Sequence, residues 1–368
     1  MSLRVVHILS APAAGGAEVF AKDLAIEQIK EGFSVSFIFL NSAKEIGRSE
    51  TFEHNFLKEL DIKNISYYFL SRKLGFSIFS EILKFNQILK VVSPDILHVH
   101  LYWGLLLLLF SFRRYKVLYT HHNVLLRCPR WMYILWNFRV DRFVAISDVC
   151  YESLRSVAKK PIDVIKNGIN FDRIKLVQYP KVFSSENDFV QLVAVGALSP
   201  QKNYPLMLNS LSKIKEKNFR LMIAGEGFLR SELEALVIDL GIEKKVEFLG
   251  NIDYVPQLLS VSDVFLMSSD WEGLPISLLE ACAAGLPCVV SDVGGCREVV
   301  ESLSNGFVVD NQNVLEFADA VKCLLVDRSL RESFAESSRA RINQYSIENS
   351  YLGYLQAYNK TVSLKEIL

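Results

Sequence analysis

Residues 269–300 read SDWEGLPISLLEACAAGLPCVVSDVGGCREVV. Glu272 sits in a loop, and Gly273, Leu274 and Pro275 follow it. A proline at the first helical position is a start signal, because its missing N–H would have had no partner there. Ile276 to Ala284 then form a nearly all-apolar helix interrupted by one second carboxylate, Glu280. Gly285 stops the helix, Pro287 to Val290 is a short buried strand, and Gly294-Gly295 makes a turn. Such a helix start aims unpaired N–H groups and a partial positive charge at whatever precedes it, which suits a phosphate. Glu280 lies five residues beyond Pro275, about 7–8 Å along the axis at 1.5 Å per residue. A carboxylate in so apolar a helix is costly to bury unless it bonds something. Two readings stand: a pair with a backbone amide or a lysine in the core, or acceptance of hydrogen bonds from both hydroxyls of a ribose.

The spacing Glu272-Gly273-Leu274-Pro275, with Glu280 eight residues after Glu272, then Ala-Gly-Leu-Pro and Gly-Gly, resembles the paired-glutamate motif of glycosyltransferase family 4. The resemblance implies the GT-B fold, in which two Rossmann-like, doubly wound α/β domains face an interdomain cleft and a C-terminal helix crosses back to the first domain. It also implies retaining transfer of a sugar from a nucleotide diphosphate. In that family the first glutamate holds hydroxyls of the donor sugar and the second holds the ribose, which places Glu272 and Glu280 in those roles.

Outward from this stretch, the second half alternates strand and helix: Gln191–Leu198, a helix from about Tyr204, Phe219–Ala224, a helix Leu229–Leu240, Val246–Leu249 and Val264–Ser268. The first strand ends in Gly196-Ala197-Leu198-Ser199-Pro200-Gln201-Lys202. Lys202 is either a solvated surface lysine or a mobile point charge on a diphosphate. The loop resembles the family's Gly-Arg-Leu…Lys pattern, with Ala197 where the arginine normally stands, so one of two expected cations is missing. Arg297, after the Gly-Gly turn, is a candidate replacement. Ala224-Gly225-Glu226-Gly227 resembles the family's Ala-Gly-x-Gly loop beside the nucleotide, and Phe248 to Asn251 resembles the segment that reads the base. Helices follow at Val314–Val326 and Leu330–Tyr345, and Ser346 reads as the cap of a last helix, Tyr351–Val362.

The first half alternates likewise: Arg4–Ser10, a helix to about Glu31, Ser34–Asn41, Glu50–Leu60, Ile65–Leu70, Ile78–Val91, Ile96–His100, Trp103–Phe112, Lys116–His121, Arg142–Ser147 and Ile162–Asn167. That spacing argues a doubly wound parallel sheet, whose ligands gather beyond the carboxyl ends of the strands. Gly15 and Gly16 form a glycine turn there: a tight turn for packing, or a backbone cradle for an anion. The run Gly-Gly-Ala-Glu resembles the family's first glycine-rich loop, which faces donor phosphate and acceptor. His98 and His121 read as structural histidines bonded to loop backbone, with zinc the lesser alternative. Thr120-His121-His122 resembles the family strand whose histidine meets the donor sugar, which gives His122 an orienting role. Arg127 to Arg139 (RCPRWMYILWNFR) reads as a core-facing helix, or as a basic, aromatic face for an inner-membrane surface or a lipid-linked acceptor, with Lys159-Lys160 contributing.

Composition sets the limits. A length of 368 residues suits two domains, here 1–178 with 346–368, and 179–345, joined by a polar linker at Tyr179–Asp188. Lys+Arg and Asp+Glu balance at 41 each, so no long-range field draws the chain to nucleic acid. The start reads as a strand rather than a leader, and Tyr102–Phe110 reads as a buried helix too short to span a bilayer. Six cysteines without CxxC spacing suit reduced core thiols in a cytoplasmic protein, peripheral on the membrane if the aromatic face engages it. The expectation is a hexosyltransferase that uses a nucleotide-sugar donor, UDP by family frequency, and a glycan or lipid-linked acceptor of surface polysaccharide synthesis, with no metal or other cofactor required. The alternatives are a relative acting on the nucleotide sugar alone, as epimerase or hydrolase, and a non-catalytic nucleotide-sugar binder.

Overall fold

The computed structural model describes residues 3–70, 78–111, 115–126, 128–174, 189–252 and 254–363. The expected linker at 179–188 and Arg127 lie outside them. Two compact units result: Met1–Gly168 with Ile347–Leu368, and Ile169–Ser346. The division falls ten residues before the expected position 178.

The first unit is built on seven strands, β1 (Arg4–Leu9), β2 (Ser34–Phe39), β3 (Ser66–Phe69), β4 (Ile96–Val99), β5 (Lys116–His121), β6 (Arg142–Ala145) and β7 (Ile162–Val164). They pair in the order β3-β2-β1-β4-β5-β6-β7, every pair parallel. Near-continuous apolar runs such as RVVHIL produce this, because helices cover both faces and leave no wet side. The last helix, Ile347–Ser363, belongs to this unit. Tyr351, Tyr354, Ala357 and Tyr358 bury its inner face, and Ser350 Oγ donates to the Lys166 carbonyl at 2.8 Å.

The second unit carries β8 (Val190–Val195), β9 (Phe219–Ala224), β10 (Val246–Gly250), β11 (Val264–Met267), β12 (Cys288–Ser291) and β13 (Gly306–Val309), in the parallel order β10-β9-β8-β11-β12-β13. Its core joins Leu192, Leu221, Ile223 and Leu266 to Phe317, Val321 and Leu324 of the helix Val314–Val326. Each sheet reverses its winding once, between β1 and β4 and between β8 and β11, and such switch points open the crevice that binds ligands in α/β sheets.

Three short helices escape the sequence reading: Asp148–Arg155, Val255–Ser260 and Cys296–Leu303. None fills the 11-residue window in which helical periodicity emerges. Pro275 is the residue capping the helix Ile276–Ala283, with extended backbone (ψ 122°), rather than its first helical residue. The helix expected across Tyr102–Phe110 ends at Leu108, and Trp103 and Phe110 face solvent. All six cysteines are free thiols, Cys323 alone among them exposed.

Candidate active site

In the second unit the loop after β8 meets the loop after β11. Lys202 Nζ lies 2.6 Å from Glu272 Oε1, and Ser269 Oγ donates to the same oxygen at 2.8 Å. The loops are stapled by backbone and side chain alike. Ser268 Oγ reaches the carbonyls of Lys202 (3.0 Å) and Asn203 (2.9 Å). Asn203 Nδ2 donates to Asp270 at 2.7 Å, and Gln201 Nε2 donates to the Trp271 carbonyl at 3.0 Å. Asn203 adopts a left-handed conformation (φ 42°) and caps the helix Tyr204–Ser212 by accepting from the Leu206 N–H. That helix start therefore also fixes the stem of Lys202.

Glycine makes the close approach possible. Gly225 has φ +143°, and a Cβ there would overlap the Gly196 carbonyl. Gly294 has φ +53°, and a Cβ there would overlap the Glu272 carbonyl. Gly295 N–H donates to the Gly273 carbonyl at 2.7 Å. Gly227 abuts the Leu198 backbone, and Gly196 leaves room for the Lys202 stem. Gly196, Lys202, Gly225, Gly227, Glu272 and Gly273 are thus one cluster. Leu274 is buried, and Pro275 hands the chain to the helix whose first N–H groups have no intrahelical acceptor. Tyr204, whose hydroxyl donates to the Gly196 carbonyl at 2.9 Å, is raised above the usual tyrosine range by burial and by the Glu272 charge.

Glu280 is met by an arginine: Arg173 Nη2 donates to its Oε1 at 3.1 Å. Tyr254 anchors that arginine by donating to its backbone carbonyl at 2.6 Å. Arg297, the candidate for the cation missing at Ala197, is already engaged. It bonds Asp292 through two contacts of 2.8 and 2.6 Å and Glu301 at 2.6 Å, so its charge is balanced at the surface. Ser269, Asn203 and Arg173 have no sequence signal of their own; only contact reveals them.

In the first unit Gly15 precedes the helix Gly16–Lys30 with no side-chain cap. The Glu18 carboxyl lies against it and is pushed up to about 7 by burial, against the pull of its own backbone N–H and of Arg48. His122 follows β5. Its Nε2 is 2.9 Å from His100 Nδ1, while its own Nδ1 is buried with no partner among the described residues. Burial first, then His121, lowers its pKa to about 3, so the ring is neutral. His98 and His121 depart from expectation: their partners are side chains, Tyr358 and Thr120 for His98 and Tyr119 for His121, and not loop backbone. Strand carbonyls are taken up by the sheet ladder, which leaves side-chain hydroxyls as partners for these rings.

The helix Arg130–Trp136 and the turn after it are split between core and solvent. Tyr133 and Trp136 are core residues, whereas Trp131 (60% exposed) and Phe138 (73%) face solvent with Ile134 and Leu135. No helix among the described residues is long and apolar enough to cross a membrane.

Two family profiles cover most of the chain: "Glycosyltransferase Family 4" over residues 14–173 and "Glycosyl transferases group 1" over 178–341. An uncharacterized glycosyltransferase of Methanocaldococcus jannaschii is 33% identical over 233 residues, 59% of this chain and 60% of the relative. An Escherichia coli UDP-Gal:alpha-D-GlcNAc-diphosphoundecaprenol alpha-1,3-galactosyltransferase is 28% identical, over 54% of each chain. The chain therefore spans somewhat more than half the length of these two relatives. Among solved structures, Anabaena HepE in complex with UDP and glucose superposes with a TM-score of 0.81 at 18% identity, over 97% of this chain and 99% of that one, which shows a shared fold.

Proposed function

Because this chain belongs to glycosyltransferase family 4, with the two-domain GT-B fold, we propose that it moves a hexose from a nucleotide diphosphate sugar to a glycan or lipid-linked acceptor, with retention at the anomeric carbon. The observation that carries this is the Lys202–Glu272 pair, set at the β8/β11 switch point beside a helix start. An ammonium and a carboxylate held 2.6 Å apart are matched to the two ends of a sugar diphosphate. The donor separates them: the diphosphate takes Lys202 and the helix N–H groups, and the sugar hydroxyls take Glu272. Charge that builds on the leaving phosphate then meets fixed donors in a partly desolvated site. With Ala197 uncharged, Lys202 carries more of that work than in relatives with an arginine, and the reading needs no metal. Glu280, steadied by Arg173, accepts from the ribose. His122 orients the sugar, and a leaving-phosphate oxygen serves as base in front-side attack; the name of the E. coli relative supports UDP as the nucleotide, and those of GDP-mannose-dependent Mycobacterium tuberculosis relatives keep GDP as its alternative.

The exposed aromatic face at Trp131 and Phe138, with Arg130 beside it in sequence and Lys159 brought to it by an N–H bond to Asn137 Oδ1 at 2.6 Å, supports an acceptor or enzyme held at a membrane surface on the cytoplasmic side. The test is a thermal-shift screen of UDP, GDP, ADP and their sugars, followed by transfer assays on Lys202→Ala, Glu272→Ala and His122→Ala. Strong loss of turnover in folded variants is expected; wild-type turnover in all three refutes the roles. Ala197 favours one second reading, a nucleotide-sugar binder without transfer, and tight donor binding with no product from any acceptor pool would select it.

A further inference from the structure

Seven hydrogen bonds in series join eight buried or half-buried side chains of the first unit. Tyr354 Oη contacts Thr120 Oγ1 at 3.1 Å, Thr120 contacts His98 Nε2 at 2.7 Å, and His98 Nδ1 contacts Tyr358 Oη at 2.7 Å. Tyr358 is met by Gln28 Nε2 at 2.9 Å, and Gln28 Oε1 meets His7 Nε2 at 2.8 Å. His7 Nδ1 meets His100 Nε2 at 2.9 Å, and His100 Nδ1 meets His122 Nε2 at 2.9 Å. The chain ends at His122 Nδ1, buried and without a partner among the described residues. His7, His98 and His100 also satisfy the spacing of a metal site, but all six of their ring nitrogens are committed to these hydrogen bonds, which a metal would have to break.

Burial holds the rings neutral: His7 falls to about 4, and His98 and His100 fall well below the usual range. A neutral imidazole has one N–H and one lone pair, so each ring passes its neighbour's choice onward. Gln28 sets the direction. Its amide nitrogen donates to Tyr358, and its oxygen only accepts, so His7 carries its hydrogen on Nε2. His7 Nδ1 then accepts from His100 Nε2–H, and His100 Nδ1 accepts from His122 Nε2–H. A half-turn of this one amide would reverse every link and leave an orphaned N–H at His122, which buried sites tolerate less well than an orphaned acceptor. In the observed direction the surplus hydrogen falls to the Tyr354 hydroxyl, a rotor free to turn.

We infer that Gln28, His7 and His100, with Tyr358 of the last helix, are positioning residues that hold His122 as the Nε2–H tautomer and leave its Nδ1 lone pair, covered by protein here, as the acceptor that a sugar hydroxyl meets when the donor binds. The relay rests on the hydrogen bonds alone; its sugar end rests on the function proposed above. The lone pair selects a hydroxyl over a group that only accepts, because two acceptors facing each other in a dry site leave both unpaired.

The experiment reads histidine tautomers by two-bond 1H–15N correlation spectra of the 15N-labelled full chain, with no nucleotide sugar present. Wild-type His122, His100 and His7 are expected protonated at Nε2 with bare Nδ1. Tyr358→Phe removes the hydroxyl that orients Gln28 and meets His98, and is expected to turn His122 into a mixture of tautomers. Gln28→Glu, which accepts on both sides, is expected to keep His122 as it was and reverse His98. A His122 protonated at Nδ1 in the wild type, or spectra unmoved by Tyr358→Phe, overturns the relay. Donor KM is read on the same variants. A several-fold rise in Tyr358→Phe supports the sugar contact, and an unchanged KM beside changed tautomers overturns that contact while the relay stands.

Discussion

Replacing Lys202 by methionine separates what the Lys202–Glu272 pair does for stability from what it does for chemistry. The lysine side chain is 17% exposed and the glutamate 8%, so the pair lies at the lip of the core. Losing one member of a fully buried pair costs roughly 3–5 kcal/mol, because the other charge is stranded. Here Ser269 still donates to Glu272, which brings the expectation for Lys202→Met down to about 2–3 kcal/mol. In a unit of this size that lowers the melting temperature by about 4–12 °C, at roughly 2–4 °C per kcal/mol. Adding Glu272→Gln removes the stranded charge and keeps an acceptor for Ser269, so the double variant should return to within about 1 kcal/mol of the wild type. Turnover should fall in both, by about 10²–10³, the loss typical of removing one donor from a developing oxyanion. Calorimetry and a donor-turnover assay on the three proteins decide it. A single variant that melts with the wild type, a double variant no more stable than the single, or undiminished turnover each refutes the reasoning.

Gly294→Ala forces a Cβ into the Glu272 carbonyl at φ +53°, whereas Gly47 has φ +67° and open space around it. The first should cost at least about 2 kcal/mol and weaken donor binding, the second about 1 kcal/mol or less with binding intact; equal losses would show that the close approach is not what matters at Gly294. His7, His121 and His122 are lowered to about 4, 4 and 3, so the unfolded chain binds more protons than the folded one below about pH 6.5. Stability is then full above that pH and falls as pH drops towards 4, opposed in part by Glu18, whose raised value of about 7 works the other way between about 4.5 and 7. A melting temperature flat from pH 6.5 to 5 would contradict this. For the exposed aromatic face, Trp131→Ala and Phe138→Ala should reduce co-flotation with anionic liposomes several-fold without lowering the melting temperature; Trp136→Ala is no test, because Trp136 is a core residue.

Most of the strands were readable because a parallel strand covered on both faces needs a continuous apolar run, and such runs are local. Phe219–Ala224, Lys116–His121 and Val314–Val326 match expectation residue for residue. The helices that escaped were short, six to eight residues each, so their signal never built up over a window. The motif residues were legible as types in a pattern, but their partners were not. Nothing near Glu280 in sequence points to Arg173, 107 residues away, whereas the partners of Arg297, Asp292 and Glu301, stand only five and four residues from it, a local pairing that helix spacing alone could have shown.

What the chain's own order of residues determined was the list of elements, the two runs of alternation, the glycine turns at strand ends and the family to which they belong. Only the tertiary structure decided which turns meet. The strand order brings β8 beside β11 and so sets Lys202 on Glu272 across 70 residues. It brings β1 between β2 and β4, aligning His7 with His98 in register, and the last helix closes that row with Tyr354 and Tyr358. Periodicity and capping act over a few residues, whereas hydrogen-bond partners are assigned by sheet order and register, which no local pattern encodes.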